Sequence, residues 1–229
     1  MGWIWKTATG FLMAGTVWGM MAYVRPAEGF LYPDGARIII IHVPCAWISA
    51  VAYLVAAWNA GRVLKRVARP QDETWVRPDC LCEASMELGL LFSILTTATG
   101  SIFSRLQWGA FWSWDPRQTS IVVIMLLFAA YLVLRSSVTN AVMRARLTSA
   151  YAIIAVVPGM FLIWVLPRVV ASLHGDANNA VIGGGLDSQY RAVLYGLALP
   201  AFVGLYTWLM QLRMRLSMAE WRAVERSVG

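Results

Sequence analysis

Charged residues are scarce in this chain of 229 residues. Only 14% of the residues are Asp, Glu, Lys or Arg, and 59% are hydrophobic, whereas a soluble domain has about 25% charged residues. This composition excludes an ordinary soluble domain and indicates an integral membrane protein. The net charge of +7 would suit nucleic acid, but the sequence has no separate polar domain to bind it. We therefore exclude nucleic acid as a partner and interpret the basic residues as topology signals and contacts with the lipid bilayer.

Several motifs of catalysis and metal binding are also missing. The three cysteines, Cys45, Cys80 and Cys82, form neither a CxxC zinc pair nor the CxxCH that attaches c-type haem. We interpret them as small apolar residues of helices. The sequence has no GxxxxGK[ST] phosphate loop, no histidine and cysteine cluster with zinc spacing and no GxSxG elbow. The chain is therefore predicted not to be an enzyme of these classes.

Long apolar stretches are abundant, and six of them reach the roughly 17–25 residues that span a bilayer. The sequence predicts an all-α membrane protein with about six transmembrane helices, in one domain that covers 1–229. The first stretch has no convincing cleavage site, so we expect a retained helix and not a signal peptide. The predicted spans are about 8–24, 37–59, 82–104, 116–134, 147–166 and 192–211.

The distribution of basic residues orients these helices. About two thirds of the 19 Lys and Arg residues fall in connections on the side that holds both termini. Because cytoplasmic connections are enriched in Lys and Arg, both termini are predicted to be cytoplasmic. Glu83 and Glu87, near the cytoplasmic end of the third helix, are interpreted as interfacial groups, with a proton-relay pair as the alternative.

A tryptophan-rich segment, WGAFWSWDPRQTS, covers Trp108–Ser120 and lies on the opposite side. An ordinary aromatic belt at the bilayer interface would explain tryptophans there. Asp115 is predicted to cap the fourth helix, with Pro116 at its first position and Gln118 completing a capping box. The alternative roles of Asp115, in the cap and in a functional site, are compatible.

The chain has only two histidines, and the predicted topology puts both on the side of the tryptophans. His42 lies about 7–8 Å deeper in the membrane than Arg37, which indicates function, although interfacial snorkelling is the alternative. His174 lies in the long outer connection 167–191, which includes glycines at 175 and 183–185. A long loop in a compact protein is more often functional, but a surface histidine is the alternative.

Two imidazoles, an aromatic surface and arginines together suit a single haem. Low-spin haem iron takes two axial histidines, and arginines neutralise propionates. Two histidines permit one such haem and exclude a subunit with several. The candidate residues are the iron ligands His42 and His174, the aromatic residues Trp108, Phe111, Trp112 and Trp114, and the propionate partners Arg37 and Arg117.

The chain resembles the CcmC family of haem-handling membrane proteins in cytochrome c maturation. The resemblance lies in WGAFWSWDPRQTS, which is similar to the family's WWD motif, in RIIIIHVPCAW with His42, and in SLHG with His174. It implies a periplasmic WWD segment at 105–120 and a bis-histidine, non-covalent haem b. It also implies a platform for haem and chaperone, formed by Trp108, Trp112, Trp114 and Asp115. Ser113 splits the aromatic run, where we would expect another bulky residue in many relatives, so the resemblance implies the platform but not its detailed shape.

The resemblance further implies partners and a location. A CcmE-type periplasmic haem chaperone would receive the haem, and its covalent attachment there would be promoted by positioning. The chain would work with an ABC transporter, made of a CcmA-type ATPase and a CcmB-type membrane subunit, and with a small one-helix CcmD-type protein. It would lie in the bacterial inner (cytoplasmic) membrane. The alternatives are a membrane transporter and a structural ABC-transporter subunit, each with an ordinary aromatic belt.

Overall fold

The described part of the chain is helical and contains no strand. The computed structural model describes residues 2–174 and 186–228. The helices are α1 (Gly2–Trp18), α2 (Ile39–Arg66), α3 (Val76–Trp108), α4 (Pro116–Ser137), α5 (Ala141–Met160), α6 (Leu166–Val169), α7 (Ser188–Val193) and α8 (Leu199–Val228). The π-helical turns Gly19–Tyr23, Phe161–Val165 and Leu194–Ala198 continue α1, α5 and α7, and the 3-10 turns are Asp34–Ile38 and Pro70–Asp72.

Among the described residues, five helical segments are long and apolar enough to cross a membrane. The first predicted span, 8–24, corresponds to α1, whose α-helical part has 17 residues, and to its π turn. The predicted all-α, multi-pass fold is confirmed. Several helices extend beyond the predicted spans, because at 1.5 Å per residue the 33 residues of α3 exceed the hydrocarbon thickness of about 30 Å. The five segments are Asp34–Arg66, Val76–Trp108, Pro116–Ser137, Ala141–Val169 and Ser188–Val224.

The two chain ends lie at the same end of the helix bundle. Trp5 packs edge to face on Trp208 with ring centroids 6.3 Å apart, and Gly19 lies against Val193. Helix α1 therefore runs antiparallel to the last helical segment. We call this end the basic end, because it holds the basic last turn of α2, which ends at Arg66. The opposite end, where Trp108–Asp115 lies, is the aromatic end.

Helix α2 occupies the centre of the bundle and packs along α3 and α5. Its Tyr53 is fully buried and lies 4.0 Å from Phe128 between ring centroids. Gly89 of α3 faces the same phenylalanine, and a Cβ atom there would overlap the ring. A small residue at this crossing thus permits the close helix packing that membrane bundles depend on.

A cluster of ion pairs joins α3, α4 and α8 near the basic end. Arg135 donates to both carboxylate oxygens of Asp79, at 3.0 and 2.7 Å, and lies 2.9 Å from Glu83. Arg213 pairs with Glu87. The interfacial interpretation of Glu83 and Glu87 is therefore refined, because both carboxylates are structural partners of arginines. Arg135 and Arg213 were both counted as topology signals in the sequence, and in the structure both are held in these ion pairs.

Candidate functional site

A cavity of about 520 Å³ opens at the aromatic end between α2, α3, α4 and the segment after α5. This volume is within the range of about 300–1,000 Å³ that is typical of small-molecule sites. Both histidines of the chain line this cavity. Among the described residues, no cluster of three His, Cys, Asp or Glu side chains could hold a bare metal ion.

His42 projects from α2 into the wall that α2 and α3 form, which we call the helical wall. Its Nδ1 lies 3.0 Å from Thr99 Oγ1, and the Thr99 hydroxyl already donates to Leu95 O at 2.7 Å. Thr99 Oγ1 therefore accepts a hydrogen bond from the Nδ1–H of His42, and the lone pair of Nε2 stays free for a metal. Gly100 packs on the imidazole, where a Cβ would lie 2.8 Å from Cε1. The sequence of α3 thus fixes both the tautomer and the position of His42.

His174 lies on another part of the cavity lining, which the loop residues Ser172–His174 form together with Asp115 and which we call the loop wall. His174 Nδ1 lies 3.3 Å from Asp115 Oδ1 and 3.2 Å from Ser172 Oγ. Ser172 donates to Asp115 at 3.0 Å, and Leu173 N donates to it at 2.7 Å. Because these acceptors hold the proton on Nδ1, Nε2 of His174 is also left with a free lone pair. The glycine-rich stretch 175–185 of this loop lies outside the described residues.

The electrostatics of the loop wall keep His174 neutral and Asp115 ionised. Burial, reinforced by the positive charge of Arg117, lowers the pKa of His174 to about 4, although Asp115 acts in the opposite direction. Burial alone would raise the pKa of Asp115, but hydrogen bonds from Leu173 N, Arg117 N and Ser172 bring it below its ordinary value. The contact between His174 and Asp115 is therefore a hydrogen bond to a carboxylate, and a neutral imidazole is the form that ligates metals.

Asp115 also begins α4, as predicted. Its Oδ1 accepts from Arg117 N at 2.9 Å, and Pro116 occupies the first turn. The predicted capping box is wrong, because Gln118 Oε1 accepts from Ser113 N at 2.8 Å, two residues before the expected partner. Gln118 reaches Ser113 because the chain between them turns at Trp114, which has a φ of 56°. One carboxylate thus links the start of α4 to the position of His174.

The tryptophan-rich segment divides into residues that face the cavity and residues that face outward. Helix α3 ends at Trp108 because Gly109 adopts a left-handed conformation with φ of 81°. Trp108 and Trp112 line the cavity, and the Trp108 ring meets His174 edge to face at 4.9 Å. Phe111 and Trp114 are 60% and 74% exposed. The tryptophan-rich segment therefore contributes side chains both to the cavity lining and to an outer aromatic surface.

Of the two arginines expected to bind propionates, only one lines the cavity in the structure. Arg117 lines the cavity, and its buried Nε has no hydrogen-bond partner among the described residues. Arg37 does not line it: Arg37 donates to Val24 O at 3.0 Å and pairs with Asp34 at 3.1 Å. Arg168 lines the cavity instead, with its guanidinium 5.5 Å from the Trp164 ring centroid. Arg117 and Arg168, and not Arg37, are therefore placed to meet an anionic group.

Sequence reasoning missed several residues of the site. Phe103 packs edge to face on Trp108 at 5.5 Å, and Phe30 packs on Phe103 at 6.2 Å, so a line of rings supports His174. Thr99 and Ser172 orient the histidines. Thr99 had a detectable signal in the hydroxylated stretch TTATGS of α3, but Phe30 and Ser172 had none, because their role depends on how the loops fold.

Comparison with known proteins places these features in a family. The family model of CcmC, heme exporter protein C, matches residues 1–228. The heme exporter protein C of Paracoccus denitrificans is 25% identical over 226 residues, 93% of this chain and 84% of the relative. That of Bradyrhizobium diazoefficiens is 28% identical over 80% of this chain and 68% of the relative. A putative cytochrome c biosynthesis ccmC-like mitochondrial protein of Arabidopsis thaliana is 31% identical over 46% of this chain and 38% of its own length.

Proposed function

The chain belongs to the heme exporter protein C family, and from this premise we propose that it holds one haem between His42 and His174 and passes it to a periplasmic chaperone. Membership of the family implies a role in haem handling for cytochrome c maturation. In this proposal haem is a cargo, and the chain is a binding and delivery protein and not an enzyme. The cargo would be haem b, held without a covalent bond.

The observation that carries the proposal is the pair of imidazoles that face one cavity. Each has its Nδ1 engaged, by Thr99 on the helical wall and by Asp115 and Ser172 on the loop wall. Each Nε2 is therefore free to donate to iron, and axial imidazoles with hydrogen-bonded Nδ1 are the usual ligands of low-spin haem. Trp108 and Trp112 would contact the porphyrin.

The polar groups of the cavity support an anionic, planar cargo. Arg117 offers a buried Nε that lacks a partner among the described residues, and Arg168 lines the same cavity. Guanidinium groups bind carboxylates in a bidentate manner, so these two arginines would hold the propionates. The expected role of Arg37 in this respect has no support from its contacts with Asp34 and Val24.

Delivery requires a partner and a surface that the partner can reach. We assign this surface to the outward part of the aromatic segment, Phe111 and Trp114, which are exposed beside the cavity. A CcmE-type chaperone would dock here, and covalent attachment of haem to it would be promoted only by positioning. The proposal includes the CcmA-, CcmB- and CcmD-type partners and the bacterial inner membrane, with the WWD segment 105–120 on the periplasmic side of a single domain, 1–229.

The test is a haem titration of the purified full-length protein and of two variants, His42→Ala and His174→Ala. We expect the wild type to give the spectrum of low-spin haem with two histidine ligands. Each variant should lose this spectrum. Its haem affinity should also fall by more than the roughly 10–100-fold that follows from loss of a hydrogen-bond partner of a ligating histidine.

Thr97→Val is the matched control, because Thr97 lines the same cavity and its hydroxyl donates to Ser93 O, within α3. It should bind haem like the wild type. An unchanged spectrum in both histidine variants would overturn the ligand assignment. Transfer of haem from wild type to a purified chaperone tests delivery, and solute transport by the haem-free protein in liposomes would favour the transporter alternative.

A further inference from the structure

At the basic end, far from the haem cavity, a second cleft of about 380 Å³ is lined by four arginines. Arg62 and Arg66 come from the last turns of α2, Arg77 from the first turn of α3, and Arg222 from α8. Glu73 also lines the cleft and has a partner of its own. Four cations against one carboxylate in the described lining repel each other unless an anion binds between them.

The arginines of this cleft are weakly neutralised by the protein. Arg62 donates to the amide oxygen of Asn59 at 3.2 Å, and Arg66 donates to Thr74 O at 3.1 Å, so both partners are uncharged. With the side chains and backbone groups that the structure describes, Arg77 and Arg222 make no side-chain hydrogen bond or ion pair. The ion-pair cluster of α3, α4 and α8 shows that this chain does pair its buried arginines where it uses them for packing.

A further donor of the cleft lacks an acceptor. The indole of Trp221 packs edge to face on Trp75 at 5.2 Å between ring centroids. Its Nε1 is buried and has no partner among the described residues. A buried N–H without an acceptor destabilises the folded state. An oxygen-rich ligand in the cleft would accept from Trp221 and from the neighbouring guanidinium groups together.

The position of the cleft favours a lipid as the source of that ligand. Arg66 ends a membrane-spanning segment, and Trp221 lies one turn beyond Ser217, which closes the ion-pair cluster by donating to Glu83. The cleft is therefore at the level where headgroups meet water. Its lining also includes Val76, Pro78 and Met218, which offer apolar surface for the first carbons of acyl chains.

We propose that this cleft binds the phosphate of an anionic phospholipid headgroup. Arginine forks match phosphate oxygens, and basic pockets between helices on the side with the most Lys and Arg are suited to anionic lipids. The bound phosphate bridges α2, α3 and α8 and relieves the repulsion between their arginines. The site stabilises the bundle from the end opposite to the haem cavity.

The test measures thermal unfolding of the delipidated full-length protein in detergent, with phosphatidylglycerol or with phosphatidylcholine of the same acyl chains. We expect phosphatidylglycerol alone to raise the unfolding temperature, because a ligand of the native state stabilises it. In the double variant Arg77→Gln, Arg222→Gln, most of this rise should disappear. Native mass spectrometry should show fewer bound phospholipids in the same variant.

The matched control is the double variant Lys65→Gln, Arg69→Gln. It removes two exposed cations of the same end that do not line the cleft, so it should keep the full rise. An equal rise in the cleft variant would overturn the proposal, and so would no rise in the wild type. An equal rise with inorganic phosphate would assign the cleft to a soluble anion and would overturn the lipid assignment. The haem spectrum of each variant reports independently whether the far cavity is intact.

Discussion

The two walls of the cavity orient their histidines by different means. On the helical wall, a neutral hydroxyl accepts the Nδ1 proton of His42, and the close packing of Gly100 fixes the ring. On the loop wall, an ionised carboxylate accepts a hydrogen bond from the Nδ1–H of His174, and the Trp108 ring meets the imidazole edge to face. A carboxylate partner makes an imidazole more basic than a hydroxyl partner does. The loop wall therefore offers the stronger iron donor on the less regular backbone.

In the proposed function, this asymmetry suits a protein that holds haem and then releases it. His42 is carried by two packed helices, so its position is set by the core. His174 depends on a few hydrogen bonds between Asp115, Ser172 and the loop backbone. Rearrangement of these few bonds would withdraw the stronger ligand at a small structural cost. The comparison predicts that substitutions around His174 alter haem binding more than substitutions around His42.

The largest effect of the four substitutions below is expected for Asp115→Ala. It removes the acceptor of His174 Nδ1 and the contacts that hold Ser172 and Leu173, so haem affinity should fall toward 100-fold, the upper part of the roughly 10–100-fold range for such partners. Because the remaining imidazole is less basic, the haem reduction potential should rise. Haem titration and a spectroscopic redox titration measure the two effects.

The control for Asp115→Ala is Asp187→Ala. Asp187 caps α7 by accepting from Gln189 N at 2.8 Å, so both substitutions lose a cap worth about 1 kcal/mol. Only the substitution at Asp115 should change the haem potential. Equal haem affinities in the two variants would show that Asp115 acts on α4 alone.

The next largest effect is expected for Gly100→Ala on the helical wall. The new methyl group would lie 2.8 Å from His42 Cε1, so the imidazole must move, and haem affinity should fall by an amount between those for Asp115→Ala and Thr99→Val. Alanine has the higher helix propensity by about 1 kcal/mol. The loss of affinity would therefore occur without loss of helix stability.

Gly61→Ala provides the comparison for Gly100→Ala, since a Cβ at Gly61 of α2 meets no atom within 4 Å. It should leave haem affinity unchanged and raise the unfolding temperature. If Gly100→Ala binds haem as well as Gly61→Ala does, the helical wall does not fix the position of His42.

A smaller effect is expected for Thr99→Val, which removes a neutral acceptor and keeps the shape of the side chain. Haem affinity should fall by about tenfold, near the lower limit for a partner of a ligating histidine. Thr99→Ser should restore it, because serine keeps the hydroxyl. Titrations that find Thr99→Val as damaging as Asp115→Ala would contradict the asymmetry between the walls.

The sequence predicted the membrane fold and the residues with distinctive chemistry, but not the contacts that orient them. Apolar runs dictate helices in a bilayer because the backbone must satisfy its own hydrogen bonds there. The scarcity of histidine singled out His42 and His174. Arg37 was expected at a propionate because it lies on the outer face, and that position does not reveal that Arg37 pairs with Asp34. Arg168 was not among the expected propionate partners. The supporting rings Phe30 and Phe103 depend on loop packing between distant segments, which no local pattern encodes.

The smallest effect on haem affinity is expected for Trp114→Ala, at the outer edge of the loop wall. Trp114 is 74% exposed and does not line the cavity, whereas its neighbour Trp112 does. Its φ of 56° is unusual for a residue with a side chain and costs about 1–3 kcal/mol. Such a conformation persists where the surrounding structure holds it, and here it turns the indole outward. Trp114→Ala should therefore bind haem within about twofold of the wild type, well below the roughly tenfold limit for the outer partners.

Haem transfer to the chaperone should distinguish the role of Trp114 from that of its neighbour Trp112. Trp114→Ala should slow transfer, because the exposed ring is assigned to docking, whereas Trp112→Ala should weaken haem binding itself. The two rings lie 5.8 Å apart at right angles, so the pair compares one aromatic side chain inside the cavity with one outside it. Titration and a transfer assay on both variants measure this difference. Weakened haem binding in Trp114→Ala would extend the cavity to the outer ring, and normal transfer would move the docking surface elsewhere.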